Sequence, residues 1–400
     1  MSQTPAGPLA GVRVLDLSRV LAGPYCTMLL ADLGAEVVTV ERPGEGDQSR
    51  AWGPPFAGGE ATYFMSVNRG KRSVAVDLRD PRGQAVVRRL ALRSDVVIEN
   101  FLPGGAERLG LGRDALVAER PALVYTSIRG YPLDAPEADQ PGFDFAIQGA
   151  GGIMSITGEP DGEPMKVGVA IADITTGMLA ATGTLAALLE ARATGHGRHV
   201  ATSLLDAQLA WLANRGSEAV IGGVEPERFG NAHPSICPYE TFRARDGYVN
   251  LAVGTDAQFQ RFCELAGLAD VAADPRYATN RDRVAHRAEL VPRLQAAFAT
   301  RDTADWLTAM AAAGIPSGPV RTIPQALAAA PYALAEHEHA TAGRIRTIRS
   351  PLALDGTYHT ATPAPPLLGQ HTREVLEELG YDAAEVASLL EGPCVQADLP

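Results

Sequence analysis

Apolar runs and polar breaks alternate regularly through the first third of the chain. Five runs predict strands: GVRVLDLS from Gly11, EVVTVERP from Glu36, SVAVDL from Ser73, DVVIEN from Asp95 and LVYTSIRG from Leu123. Between them, YCTMLLADLG from Tyr25 and PRGQAVVRRLALR from Pro81 predict helices, the second with proline in its first turn. Strands that alternate with helices form a parallel sheet covered on both faces, so the pattern predicts an α/β fold.

The pattern changes after about Gly195. The tract GGVEPERFGNAHPSICPYETF, from Gly222, is rich in glycine and proline and predicts a linker. A strand at GYVNLAVG, followed by several helical stretches, predicts a smaller α+β domain, and helices are expected near Thr372 and Ala383. We therefore expect a large domain over 1–221, a linker and small domain over 222–325, and a return to the large domain over 326–400.

Composition narrows the possible partners and the compartment. The formal net charge is -12, which argues against nucleic acid or an anionic membrane as the main partner. The four cysteines form no CxxC pair and are typical of reduced thiols, and the N-terminus does not resemble a signal peptide, so we expect a cytoplasmic protein. No run is expected to be long and apolar enough to span a membrane, because Asp173 and Glu190 bracket the most apolar candidate. The HEH tract at 337–339 is expected to be a solvated face, so no metal site is predicted.

Polar side chains follow the predicted strands at their carboxyl ends. Arg19, Arg42, Asn100 and Arg129 each stand at or just after such an end. In open parallel sheets ligands bind beyond the carboxyl ends of the strands, so this arrangement favours an anion site. The first strand is followed by DLSRVLAGPYCT, which lacks the GxGxxG fingerprint, so an NAD enzyme is not predicted.

One carboxylate stands near the start of a long run of apolar and small residues. The run GVAIADITTGMLAATGTLAALLEARATG predicts a helix that ends at Gly195, and Asp173 lies near its beginning. An aspartate just before a helix is a good N-cap, because its carboxylate accepts hydrogen bonds from free backbone N–H groups. The residues alone leave two interpretations open, a cap or a catalytic carboxylate.

Several phrases together resemble the family III coenzyme A transferases, also called the CaiB/BaiF family. They are PLAGVRVLDLSRVLAGPYCTMLLADLGAEVVTVERP, NRGKRSVAVDL, DVVIENFLPGGAERLGLG, PGFDFAIQGAGGIMSITGEPDGEPMKVGVAIADITTG, GHGRHVATSLLDA, GIPSGPV and PLLGQHTREVLEELG. Each phrase alone is a weak signal, whereas their number and order are specific. The resemblance covers nearly the whole chain.

The resemblance implies both an assembly and a reaction. It implies an interlocked homodimer, in which each chain has a large Rossmann-like domain built from both termini and a small inserted domain. It also implies that Asp173, in the phrase ADITTG, is a nucleophile that forms an aspartyl anhydride and then an aspartyl-CoA thioester. The substrates would be an acyl-CoA and a small carboxylic acid, with no permanently bound cofactor.

The resemblance also implies binding residues, taken position by position. The CoA contacts would be Val20, Arg42, Val76, Arg79, Asn100, Phe101 and Arg108. The guanidinium groups of the three arginines would each donate two hydrogen bonds to a phosphate group. The other interpretation of each arginine, above all of Arg79, is an ordinary surface salt bridge. The substrate pocket would include Leu21, Phe143 and Gly177, the last among small residues that leave backbone N–H groups for an oxyanion.

The chain departs from two branches of the family. Formyl-CoA transferases carry a glycine-rich lid and a glutamine, where this chain has NAHPSICPYE and Leu21, so a larger or less polar acyl group than formate or oxalate is expected. The α-methylacyl-CoA racemases carry a histidine where this chain has Phe143, which cannot take a proton. A racemase, and a CoA-binding protein without turnover, remain the alternatives to a transferase.

Overall fold

The central sheet follows from the alternating pattern of the N-terminal third. The fold was obtained as a computed structural model, and the structure describes residues 7–397. In this range the strands are β1 (Arg13–Asp16), β2 (Glu36–Glu41), β3 (Phe56–Ala57), β4 (Glu60–Ala61), β5 (Lys71–Val76), β6 (Val96–Glu99), β7 (Val124–Arg129), β8 (His199–Ser203), β9 (Tyr239–Arg243), β10 (Tyr248–Ala252), β11 (Ser317–Pro319), β12 (Leu334–His339), β13 (Gly343–Ile348), β14 (Ala353–Leu354), β15 (Thr357–Tyr358) and β16 (Val395–Gln396).

Seven of these strands form one large sheet in the order β16-β5-β2-β1-β6-β7-β8. Six run parallel, and β16 forms one edge of the sheet by pairing antiparallel with β5. The central strands are almost completely buried, as expected when helices cover both faces. The prediction of an α/β fold with a large, mainly parallel sheet is confirmed.

The helices of the described residues complete the chain between the strands. They are α1 (Ala22–Asp32), α2 (Thr62–Ser66), α3 (Pro81–Arg93), α4 (Gly105–Arg108), α5 (Arg113–Glu119), α6 (Asp144–Ala150), α7 (Ile153–Ile156), α8 (Ile171–Thr194), α9 (Leu204–Trp211), α10 (Ala213–Val220), α11 (Asp256–Ala266), α12 (Ala269–Ala273), α13 (Asn280–Ala285), α14 (Arg287–Phe298), α15 (Thr303–Ala312), α16 (Ile323–Ala329), α17 (Thr372–Glu378) and α18 (Ala383–Leu390). Short 3-10 turns lie at Gln48–Ala51, Pro275–Tyr277 and Pro331–Ala333.

Two apolar layers enclose the large sheet. One contains side chains of α1 and α8, including Cys26, Leu30 and Leu188, packed against the strands. The other contains side chains of α3, α5, α17 and α18, including Val87 and Leu376. Because α17, α18 and β16 come from the end of the chain, both ends of the sequence contribute to this part of the fold.

The chain divides into two compact units. The first comprises 1–152, 167–217 and 331–400, and the second comprises 153–166 and 218–330. The second unit contains the antiparallel sheet β9–β11. Its core includes Phe242, Phe298 and Trp306, whose rings pack closely, with 4.6 Å between the two phenyl centroids.

These bounds differ from the predicted ones at 153–166, 218–221 and 326–330, and part of the predicted linker forms a strand. Residues 153–166, which the sequence assigns to the large domain, group with the second unit. The end of the predicted linker forms a strand, since Tyr239–Arg243 is β9 and pairs with β10. Glycine and proline upstream obscured this strand, because only its short alternating segment carries the strand signal.

Helix α8 is the main apolar helix of the first unit. It has 24 residues and is long and apolar enough, by length and composition alone, to cross a membrane, so the expectation that no run reaches this threshold is wrong. Half of its most apolar stretch is buried inside the protein, where it packs in the layer with α1. The same test is passed by core helices of globular proteins, which makes it weak evidence for a membrane span.

The four cysteines and the two histidines of the HEH tract are buried. All four cysteines are free, and burial raises the pKa of each thiol, to about 11 for Cys237 and about 12 for Cys263. In β12, His337 and His339 are each only 4% exposed, so the expected solvated face is wrong for these two side chains. Strand alternation turns both histidines inward and leaves Glu338 outside.

Candidate active site

The loop after β1 contains a strained turn. Val20 has φ of 74°, a left-handed conformation that costs a β-branched residue about 1–3 kcal/mol. Its backbone N–H donates to Asp47 Oδ2 at 2.9 Å. The turn leads directly to Leu21, which precedes the first residue of α1, so it decides where that helix begins.

Asp47 belongs to a buried polar cluster that joins the loops after β1 and β2. Its second carboxylate oxygen accepts from Ser49, and its own N–H donates to Glu41 Oε2 at 3.0 Å. Arg50 forms a two-pronged ion pair with Glu41, at 2.6 and 2.8 Å, and its guanidinium lies 3.6 Å from the centre of the Phe64 ring. Every buried charge in this cluster has a partner, so the two loops are held in one arrangement.

Asp173 lies in the first turn of α8 but does not cap it. The helix begins at Ile171, and its N-cap, Ala170, provides no side-chain hydrogen bond. Asp144, in the first turn of α6, fills this role instead, because its Oδ1 accepts from Ala172 N–H at 2.8 Å. The other oxygen of Asp144 accepts from Gln148 at 2.7 Å. The interpretation of Asp173 as the helix cap is therefore wrong. Its carboxylate is not needed to hold the start of α8.

The surroundings of Asp173 favour its protonated form more than water does. Desolvation, and second the nearby Asp144 carboxylate, raise the pKa of Asp173 to about 7. Desolvation and the same two acids, together with Asp47, raise the pKa of Tyr63 to about 12. Tyr63 is thus a phenol donor at neutral pH, and Asp173 titrates between an acid and a carboxylate.

Asp173 lines a cavity of about 400 Å³, which we call the Asp173 cavity. Its wall also includes predicted residues from three other loops: Val20, Leu21, Asn100, Phe101 and Phe143. The carboxyl ends of β1, β6 and β7 supply much of this wall, as the parallel sheet predicts. Four segments that are far apart in sequence therefore meet around one half-buried carboxylate.

A second cavity, of about 450 Å³, opens beside the first. We call it the Arg108 cavity, and its wall includes the remaining predicted CoA contacts: Arg42, Val76, Arg79 and Arg108. Arg19, Gln48 and Phe101 line both cavities. The seven predicted CoA contacts and Asp173 thus lie along two adjoining cavities of the first unit.

Arg42, Arg79 and Arg108, the three arginines predicted to donate hydrogen bonds to phosphate, differ in the ion pairs that they make in this structure. Arg42 pairs with Glu45 at 2.7 Å and Arg79 with Asp77 at 2.7 Å, both on the surface. Arg108 is exposed and makes no ion pair with another residue in 7–397. Because exposed pairs contribute about 0–1 kcal/mol, Arg42 and Arg79 can exchange a local acid for a phosphate at little cost.

Gly177 lines neither cavity, although the sequence predicts it in the substrate pocket. A Cβ there would lie 2.6 Å from the carbonyl oxygen of Ala22 and 3.2 Å from Tyr25, so glycine permits the close crossing of α8 over α1. Its N–H lies inside the helix, where backbone donors bond to carbonyls four residues earlier. Its role is packing, and the oxyanion role expected for it has no geometric basis.

Sequence reasoning missed Asp144 and Asp47 as parts of this site. Asp144 directly follows Phe143 in the phrase GFD, but only the aromatic position attracted interpretation. Asp47 stands after ERPGEG in a loop whose composition resembles any turn. Both act through hydrogen bonds to backbone groups 27–28 residues away, which no local pattern reveals.

No group of three or more histidine, cysteine or acidic side chains that could hold a metal ion occurs among the described residues.

Comparison with known proteins identifies the family. Residues 9–372 match the model of CoA-transferase family III. A succinate–glutarate CoA-transferase of Agrobacterium fabrum is 45% identical over 384 residues, covering 93% of this chain and 96% of that protein. A succinyl-CoA:glutarate CoA-transferase of Mus musculus is 42% identical, covering 96% of this chain and 89% of that protein.

The fold gives the same result. The crystal structure of a CaiB/BaiF family protein from Brucella suis superimposes with a TM-score of 0.85 at 40% identity, covering 94% of this chain and all of that one. The site thus belongs to an enzyme that transfers CoA between carboxylic acids. The chain belongs to CoA-transferase family III, and the resemblance found in its sequence is confirmed.

The raised pKa of Asp173 predicts an acid limb in the pH profile. If its carboxylate is the reacting form, kcat/KM for acyl-CoA should fall about tenfold per pH unit below about 7. Asp144→Asn removes the neighbouring like charge and should move this limb to lower pH. Titration of the substrate is the same for both proteins, so the difference isolates the enzyme group.

The matched control is Asp114→Asn, which alters an exposed acid outside both cavities. The pH profile of kcat/KM for this variant should coincide with that of the unaltered protein. An Asp144→Asn profile that also coincides would contradict the electrostatic coupling between the two acids.

The Arg108 cavity predicts a selective loss of CoA affinity. Arg108→Ala and Arg42→Ala should each raise KM for acyl-CoA by about one to two decades, because a hydrogen bond to a charged group contributes about 1.5–3 kcal/mol. KM for the acceptor acid should change little. Arg88→Ala, which breaks a surface pair between Arg88 on α3 and Glu119 on α5, serves as control. Equal effects on both substrates would remove these residues from the CoA site.

Proposed function

We propose that the enzyme moves CoA from an acyl-CoA thioester to a free dicarboxylic acid, with Asp173 as the covalent nucleophile. The single observation that carries the proposal is the position of Asp173. This half-buried carboxylate caps no helix end and lines a cavity that adjoins all of the predicted CoA contacts. Tyr63 and the open end of α1 lie nearby as polar supports.

The proposed reaction has two symmetric halves. The Asp173 carboxylate attacks the thioester carbonyl, the C–S bond breaks, and an aspartyl anhydride and CoA thiolate result. The thiolate then attacks the aspartyl carbonyl, which releases the donor acid and leaves an aspartyl-CoA thioester. The acceptor carboxylate attacks this thioester, and the returning thiolate takes the acceptor acyl group and restores Asp173. No net proton transfer is needed in either half.

The environment of Asp173 supports each half. A carboxylate whose pKa lies near 7 is a better nucleophile than an ordinary one, yet it is still substantially ionised at neutral pH. Desolvation, the main cause of the raised pKa, also limits the water that could hydrolyse an anhydride. Asp144 holds the start of α8 through Ala172 N–H, so the nucleophile stands on a fixed element.

The acceptor class rests on the relatives and on the cavity. The relatives of Agrobacterium fabrum and Mus musculus are named for succinate and glutarate, which are aliphatic dicarboxylic acids. A cavity of about 400 Å³ has room for such an acyl chain beside the CoA thiol end. The apolar Leu21 wall agrees with a methylene chain, whereas formate or oxalate would leave it uncovered.

The racemase alternative is not favoured. The position that would need a general base is Phe143, and no histidine is among the residues that line the Asp173 cavity. The relatives in the comparison are named as CoA-transferases, which also disfavours a CoA-binding protein without turnover.

Asp173→Asn tests the nucleophile. Because Asp144 provides the cap, the variant should fold normally, and it should bind CoA with an affinity near that of the unaltered protein. Exchange should fall by about a thousandfold or more, the scale seen when a covalent nucleophile is removed. Mass spectrometry after incubation with acyl-CoA should find CoA attached to Asp173 only in the unaltered protein. Near-normal exchange by freshly purified variant would contradict the mechanism, and fresh protein is needed because asparagine deamidates slowly.

We also propose a homodimer, interlocked as the resemblance implies. Met178, Leu179 and Leu189 leave an apolar side of α8 exposed in the single chain, and Leu209 and Trp211 do the same on α9. Such a surface is typical of an interface. A cytoplasmic location stays a prediction.

Dilution tests the interlocked arrangement. Linked chains cannot separate without unfolding, so light scattering should find a dimer of constant mass over several decades of concentration. A folded monomer that appears on dilution under native conditions would contradict interlocking. An apolar-to-polar change such as Leu189→Lys should then weaken assembly and folding together.

A further inference from the structure

Two arginines line the Asp173 cavity, and one of them has no acidic partner among the described residues. Among its lining residues Asp173 is the only carboxylate, while Arg19 and Arg129 are both cations. Because the pKa of Asp173 is raised to about 7, this carboxyl offsets only part of that charge at neutral pH. Because Glu99 pairs with Arg129, the charge of this wall that has no acidic partner within 7–397 is that of Arg19, which favours an anionic ligand beyond the group that reacts.

The guanidinium of Arg129 is already paired with groups of the protein itself. Its Nη2 lies 3.3 Å from Glu99 Oε1, and its Nη1 donates to the carbonyl oxygen of Phe101. The side chain is 13% exposed, and Glu99 is fully enclosed beside it. Removal of Arg129 would leave a buried acid without its partner, so this arginine is a structural part of the wall.

Arg19 is fixed in place but has no partner for its charge. Asn100 holds its backbone from both sides, accepting from Arg19 N at 3.1 Å and donating to Arg19 O at 2.9 Å. Its guanidinium carbon lies 5.7 Å from the centre of the Phe101 ring. Within residues 7–397 its guanidinium makes no ion pair or hydrogen bond. Its N–H groups are therefore free to bind a ligand in the Asp173 cavity, which Arg19 lines.

We propose that Arg19 binds the distal carboxylate of the dicarboxylic acyl group while Asp173 reacts with the other end. The inference rests on the proposed function. A guanidinium fork matches a carboxylate with two parallel hydrogen bonds, and Phe101 holds the fork from one side. Arg19 is thereby a specificity-determining residue, and the substrates it selects are aliphatic dicarboxylic acids and their mono-CoA thioesters.

The covalent mechanism extends this selection to both substrates. The donor acid leaves before the acceptor acid enters, and each acyl group in turn forms an anhydride with Asp173. Both therefore occupy the same space, and both place their distal carboxylate at Arg19. A single arginine accordingly makes the enzyme exchange CoA between two dicarboxylic acids rather than between a dicarboxylic and a monocarboxylic acid.

The test is a competition between two acceptors in one reaction. Glutarate and pentanoate have the same chain length and differ in the distal carboxylate, and succinyl-CoA serves as the common donor. The ratio of the two products reports only the second half-reaction, so any effect on the donor cancels. Arg19→Gln should lower the preference for glutarate by about 10–100-fold, the value of one charged hydrogen-bonded contact. Arg19→Lys, which keeps the charge but loses the fork, should lower it less.

Two further measurements keep the outcomes distinct. Arg13→Gln, which removes an arginine paired with Glu36 at the opposite end of β1, should leave the preference unchanged. The Kd of free CoA should be the same for Arg19→Gln and the unaltered protein. An unchanged preference for glutarate in both Arg19 variants would overturn the proposal, as would a loss of CoA affinity that accounts for the whole effect, because Arg19 would then bind a phosphate. Failure of the unaltered enzyme to form aspartyl-CoA or to exchange any acid would instead overturn the proposed function.

Discussion

The hydrogen bond from Val20 N–H to Asp47 is the constraint on which the site depends. Without it the left-handed turn at Val20 would relax, because nothing intrinsic to valine favours that conformation. The turn lies between Arg19 on one side and Leu21 and the start of α1 on the other. Both sides line the Asp173 cavity. The strained backbone of Val20 therefore places the Arg19 cation and the apolar Leu21 side chain in the wall of the same cavity.

Asp47 can hold that turn because it is itself held. Its N–H binds Glu41, and Arg50 neutralises Glu41 beneath it, so the loops after β1 and β2 move as one body. These two loops face the Asp173 cavity and the Arg108 cavity respectively. The cavity proposed for the nucleotide and the cavity proposed for the chemistry are thereby joined through buried charged groups.

Periodicity predicted much of this molecule. Five strands of the large sheet (β1, β2, β5, β6 and β7), the extent of α3 and the end of α8 at Gly195 follow from local patterns of apolar residues, proline and glycine. The alignment of polar residues at strand ends was also predictable, since parallel strands bring their carboxyl ends together. Asp144 as the cap of α8, the packing role of Gly177 and the grouping of 153–166 with the second unit were not. Each depends on segments that meet only after folding, and no single window of sequence contains both partners.

The buried cysteines have a consequence for an enzyme that repeatedly handles a free thiol. Disulfide exchange requires a thiolate within reach, and here each cysteine is enclosed and its pKa raised. In the proposed reaction CoA is released beside Asp173, and none of the four cysteines lines the Asp173 cavity or the Arg108 cavity. The burial of the four thiols thus disfavours disulfide exchange between this chain and the thiol of its proposed substrate.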